Sequence, residues 1–89
     1  MITAIILMNV KRDRVNSIAE QLASMADISE VYSVTGNYDL VALVRAENND
    51  ALAALVTDQL VNIEGIEKTD TMLAFKAYSR HDLDAMFSI

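Results

Sequence analysis

The sequence predicts an α+β domain with the element order βαββαβ, and three observations carry that prediction. Short apolar runs of strand character recur four times along the chain. Between the first and second, and again between the third and fourth, apolar residues fall at three- and four-residue steps instead, the mark of a helix face. Gly36 and Asn37 supply a tight turn where the two halves meet. The chain has 89 residues, which is enough for one small domain and not for two.

Residues 2–10 carry Ile2, Ala4, Ile6, Met8 and Val10 on one alternating set and Ile5 and Leu7 on the other. A run that is apolar on both sets reads as a strand covered on both faces. A polar break at residues 9–14 follows, with Asp13 as a candidate helix cap. Val15, Ile18, Ala19, Leu22, Met25 and Ala26 then make one helix face. Residues 28–35 are rich in β-branched side chains and read as a strand of mixed polarity, with Ile28, Tyr32 and Val34 on one side and Val31 on the other. The Gly36-Asn37 turn leads into the apolar run at residues 40–44, so the second and third strands form an antiparallel hairpin. Asn48, Asn49 and Asp50 offer three successive caps for a helix bearing Leu52, Leu55, Val56, Leu60 and Ile63, which Gly65 ends. Residues 66–78 read as a longer last strand, with Leu73 and Phe75 on one face and Met72 and Tyr78 on the other.

Two βα units joined by a hairpin make the split βαβ, or ferredoxin-like, arrangement: a four-stranded antiparallel sheet with two helices on one face. Right-handed crossovers place strands one and three in the middle. Those are the two strands apolar on both faces, as that topology requires. The domain is expected to occupy residues 1–78. Residues 79–89 form a tail in which Ser79 and Asp82 have capping-box spacing and Leu83, Met86 and Phe87 fall on one side, so a short amphipathic helix is expected there.

Helices on one face leave the other face of the central strands apolar and uncovered. At roughly 25 cal/mol per Å², several hundred Å² of such surface left in water forgoes on the order of 10 kcal/mol. A small domain has a total stability of about 5–15 kcal/mol, so a homodimer pairing sheet to sheet is expected. The plainer alternative, a tail folding back over the face, is short of chain.

Composition narrows the function. Thirteen acids against seven bases give a net charge of −6, the wrong sign for a protein that binds phosphate backbones, so no direct nucleic-acid contact is expected. No cysteine is present, which excludes disulfides and thiolate metal sites. The apolar start lacks a leading basic residue and falls far short of the ~20 residues that span a bilayer, so no membrane association and a cytoplasmic setting are expected. The single histidine, His81, sits beside Asp82 in the tail, and the carboxylates Asp13, Glu20, Glu30, Glu47 and Glu67 are scattered with no pair fixed by local spacing. No catalytic residue, metal ligand or cofactor motif emerges, and a non-enzyme is expected.

One segment exceeds generic turn chemistry. Gly36 permits positive φ and leaves N–H groups open to a carboxylate, Tyr38 offers a flat body with a polar tip, and Asp39 can accept from an ammonium group. Those parts suit a free α-amino acid. The plainer reading is a hairpin whose Asn37 and Asp39 bond their own backbone.

At this hairpin the sequence resembles a known family. Val31-Tyr32-Ser33-Val34-Thr35-Gly36-Asn37-Tyr38-Asp39-Leu40 is similar to the central signature of the Lrp/AsnC effector-binding domain, also called the RAM domain: a strand ending in Thr-Gly, then an aromatic residue and Asp opening the next strand. Ile63-Glu64-Gly65-Ile66, followed by Thr69 and Thr71, resembles the family's later Gly-aliphatic step into a Thr-rich strand. The likeness covers nearly the whole chain in element order. It implies sheet-to-sheet dimers assembling into octamers or similar rings, with small effectors, usually amino acids, bound between dimers. Carried over by position, the resemblance implicates Gly36, Asn37, Tyr38 and Asp39, with Thr69 and Thr71 as further lining residues. Full-length members carry an N-terminal helix-turn-helix domain, whereas this sequence begins at its first strand. It therefore looks like a stand-alone effector-binding domain, sensing an amino acid or joining assemblies of a full-length regulator to modulate transcription. Two other classes share the element order. Dimeric α+β barrel enzymes, such as small cofactor-free monooxygenases, need a polar pocket, often with a histidine, that is not evident here. ACT-like partner-binding modules often place glycine in the first strand–helix loop, where this chain has residues 9–14.

Overall fold

Alternation decides which way each strand faces. In the computed structural model, which describes residues 1–78 and 80, β1 (Ile2–Val10) buries Ala4, Ile6, Met8 and Val10 on one side and leaves Ile5 and Leu7 half-buried on the other. β3 (Leu40–Ala46) does the same, burying Leu40, Ala42, Val44 and Ala46 while Val41 and Leu43 are half-buried. The sheet order is β2-β3-β1-β4, entirely antiparallel, with β2 spanning Ile28–Ser33 and β4 spanning Ile66–Leu73. The two strands apolar on both faces are thus the central pair, and the ferredoxin-like topology is as expected.

The buried side of the sheet packs on Ile18 and Leu22 of α1 (Val15–Ala23) and on Leu52 of α2 (Asn49–Ala54), with Leu55, Leu60 and Ile63 completing one core. Asn48 caps α2, its side-chain oxygen accepting the Ala51 N–H at 2.8 Å. The helical path then changes pitch, through a π turn at Leu55–Gln59 and a 3-10 turn at Leu60–Asn62. That drift keeps Leu55, Leu60 and Ile63 all inside.

Four local expectations need correction. Asp13 does not cap α1: it lies within a 3-10 turn at Arg12–Arg14, where the Arg14 N–H already donates to the Lys11 carbonyl at 2.9 Å. In β2 the alternation changes phase. A register shift between Ile28 and Glu30 lets Ile28 share the helix side with Val31, opposite Val44 and Ala42, while Tyr32 faces the open side opposite Val41. A bulge of this kind inserts one residue and so flips everything beyond it. β2 also ends at Ser33, not Thr35. β4 ends at Leu73 and not at Tyr78, because β1 has run out: the last rung is Ala74 N–H to Thr3 carbonyl, 2.9 Å, and Phe75 and Tyr78 lie exposed beyond it. The expected tail helix falls on residues 79–89, outside the described residues apart from residue 80.

Candidate functional site

The loop joining β2 to β3 is fixed to the end of β1. Val34 N–H donates to the Asp39 carbonyl at 3.0 Å, closing residues 34–39 into one loop. Gly36 inside it has φ +105°, a conformation that disfavours any side chain, and a Cβ there would meet nothing within 4 Å. Three bonds then fasten the loop to β1. Asp39 N–H donates to the Met8 carbonyl at 2.8 Å, and the Asn9 side-chain amide donates to the Asn37 carbonyl at 2.8 Å. The Val10 N–H donates to Asp39 Oδ2 at 2.9 Å. Pairing of β1 with β3 ends at Met8 and Leu40, so the Asp39 carboxylate takes the next donor facing that way and extends the ladder by one rung.

Tyr38 is half-buried, and its hydroxyl donates to Asp70 Oδ2. Asp70 lies on β4 opposite Leu7, on the side of the sheet away from the helices. With β1 lying between β3 and β4, the Tyr38 side chain crosses β1 on that open side. The hydrogen bond to Asp70 raises the Tyr38 phenol above its ordinary value of 10, with burial and the carboxylate's charge adding to the effect.

Gly36, Asn37, Tyr38 and Asp39 are therefore brought together with Asn9, Val10 and Asp70. Thr69 and Thr71 stand apart from them. They pair with Met8 and Ile6 and so share the helix side of β4, the side opposite the Tyr38–Asp70 contact. Thr69 instead lines an open groove of about 420 Å³ between β4 and the end of the second helical segment, with Val56, Leu60 and Val61. The sequence reading missed Asn9 and Asp70. The signal for Asp70 was available: antiparallel pairing of β1 with β4 places its half-buried carboxylate opposite the apolar Leu7, where a donor lowers the cost of burial. Among the described residues no cluster of three or more His, Cys, Asp or Glu side chains is placed to hold a metal ion, and no helix is long and apolar enough to cross a membrane.

Residues 3–83 match the model of the Lrp/AsnC ligand-binding domain. The chain belongs to the Lrp/AsnC family. Among curated relatives, the HTH-type transcriptional regulator FL11 of Pyrococcus furiosus is 38% identical over 77 residues, covering 86% of this chain and 50% of FL11. The chain thus spans about half the length of the FL11 regulators it matches. Among solved structures, TTHA0845 from Thermus thermophilus is 48% identical with a TM-score of 0.84, covering 90% of this chain and all of that one. The transcriptional regulator NMB0573 from Neisseria meningitidis shares the fold at 16% identity and a TM-score of 0.80, over 89% of this chain and 53% of its own. The Lrp/AsnC membership accounts for the element order, which the solved relatives share.

Proposed function

We propose that this chain is the effector-binding part of an Lrp/AsnC-type regulatory system and takes a free amino acid at the loop of residues 36–39. The observation that carries the reading is the Asp39 carboxylate, one of whose oxygens is fixed by a backbone N–H. The other, which takes no hydrogen bond among the described residues, suits an ammonium group, beside a positive-φ glycine with nothing within 4 Å of a Cβ built on it. The N–H groups around Gly36 suit the ligand's carboxylate. The domain acts as a binding module and not as an enzyme. It works in the cytoplasm as a homodimer joined through the open sheet face, where Ile5, Leu7, Val41 and Leu43 form an apolar centre flanked by the exposed Tyr32 and Met72. Dimers assemble further into an octamer or similar ring with the effector at their junctions. Transcription is modulated through association with full-length Lrp/AsnC-type regulators, without contact between this acidic chain and DNA. An effector shifts such assembly through its preference for one assembled state.

Calorimetry of the twenty amino acids against the wild type, Asp39→Asn and Asp39→Ala tests this. At least one amino acid binds the wild type and binds both variants at least tenfold more weakly. Equal affinity for all three proteins removes Asp39 from the site.

A further inference from the structure

Each of the loop's three ties to β1 involves a backbone group, and Gly36 itself contributes no stiffness. A fourth tie comes from a different strand. Tyr38 leaves the loop, crosses β1 and donates its hydroxyl to Asp70 on β4, 32 residues further along the chain. Asp70 is half-buried on the open face, opposite the apolar Leu7. A carboxylate there is costly unless a donor meets it, and the Tyr38 hydroxyl is that donor. The contact fixes both torsions of the tyrosine side chain. Because Tyr38 lies between Asn37 and Asp39, it also fixes the backbone on which the ligand-facing groups are mounted.

We propose that Asp70 is a positioning residue for the effector loop: by holding the Tyr38 hydroxyl across β1, it keeps residues 36–39 in the conformation that receives the ligand. The inference rests on the reading of that loop as the amino-acid site. Asp70 touches no ligand; it acts through Tyr38. Asparagine at position 70 retains an oxygen that accepts from the phenol, whereas alanine does not, so the two substitutions separate the hydrogen bond from the charge.

The test is calorimetry with the twenty amino acids on the wild type, Tyr38→Phe, Asp70→Asn, Asp70→Ala and the Tyr38→Phe/Asp70→Ala double variant, alongside amide hydrogen exchange of each. Tyr38→Phe and Asp70→Ala each weaken binding by about three- to tenfold, the worth of one hydrogen bond. Asp70→Asn stays within about twofold of the wild type, and the double variant is no weaker than either single one, as for two partners of one interaction. In Asp70→Ala the amides of residues 36–39 exchange faster while those of β1 and β3 do not. If the wild type binds an amino acid and Tyr38→Phe and Asp70→Ala bind it equally well, the positioning role is overturned and the site stands. If no amino acid binds the wild type, the site itself fails and takes the positioning role with it.

Discussion

Replacing Asp39 by alanine removes the acceptor of the Val10 N–H, and the structure sets the size of the effect. Val10 is 4% exposed, so water has little access to the released donor. A hydrogen bond to a charged group contributes about 1.5–3 kcal/mol, so Asp39→Ala is expected to cost about 2 kcal/mol. Asp39→Asn keeps an oxygen in place and should cost less than about 1 kcal/mol. Urea denaturation at one protein concentration measures both, and amide exchange reads the bond itself. At about 1.4 kcal/mol per factor of ten, the Val10 amide should exchange roughly 30-fold faster in Asp39→Ala and only severalfold faster in Asp39→Asn. Unchanged Val10 protection in Asp39→Ala, or an Asp39→Asn as unstable as Asp39→Ala, would refute the idea that this carboxylate ends the β1–β3 ladder. The pair also guards the binding experiment, since a loss of affinity in the stable Asp39→Asn protein cannot be ascribed to a damaged fold.

Gly65 and Gly36 share φ +105°, but a Cβ on Gly65 would lie 2.9 Å from Ile18 Cδ1 whereas one on Gly36 meets open space. Gly36→Ala should therefore cost about 1–2 kcal/mol for the backbone alone, and Gly65→Ala about 1–3 kcal/mol more, with Ile18→Val relieving part of the difference in urea denaturation. Tyr38 has a folded-state phenol pKa raised above its unfolded value, so its contribution is complete below pH 10 and lost as pH rises through the folded value. Thermal melts of the wild type should fall more steeply above pH 10 than those of Tyr38→Phe, and ultraviolet titration of Asp70→Asn should bring this phenol back toward 10. Leu7→Asp puts a charge at the apolar centre of the open face. In sedimentation equilibrium it should turn a dimer into monomer, and a wild type already monomeric at micromolar concentration would sink the sheet-to-sheet pairing.

The sequence made legible whatever one element's own periodicity reports. The two apolar sets of residues 2–10 and 40–44 identified the central strands, and the three- and four-residue steps identified both helices. What escaped detection lies between elements. The phase change at Ser29 is set by how β2 pairs with β3, and the early end of β4 by where β1 starts; neither is written in its own strand. The same holds for the site. Gly36 and Asp39 stand out locally, as a turn glycine followed by an acid at the start of the next strand. Asn9, Val10 and Asp70 join them only through contacts 28 to 32 residues apart, and Thr69 and Thr71 turn to the other face because alternation places them on either side of Asp70.

That placement has a consequence for how binding and assembly connect. β1 supplies Met8, Asn9 and Val10 to the loop and Ile5 and Leu7 to the open face, while Asp70 stands on that face and holds the loop's tyrosine. A partner covering the face would pack beside the Tyr38 ring, and a ligand seated on the loop would bear on the same ring from its other end. Reciprocity then requires that an amino acid which tightens the assembly be bound more tightly by the assembled form, by the same factor. A residue shared by both surfaces is where such coupling has a physical carrier, and under the proposed function Tyr38, bonded to Asp70 on the open face, is the residue to test for it.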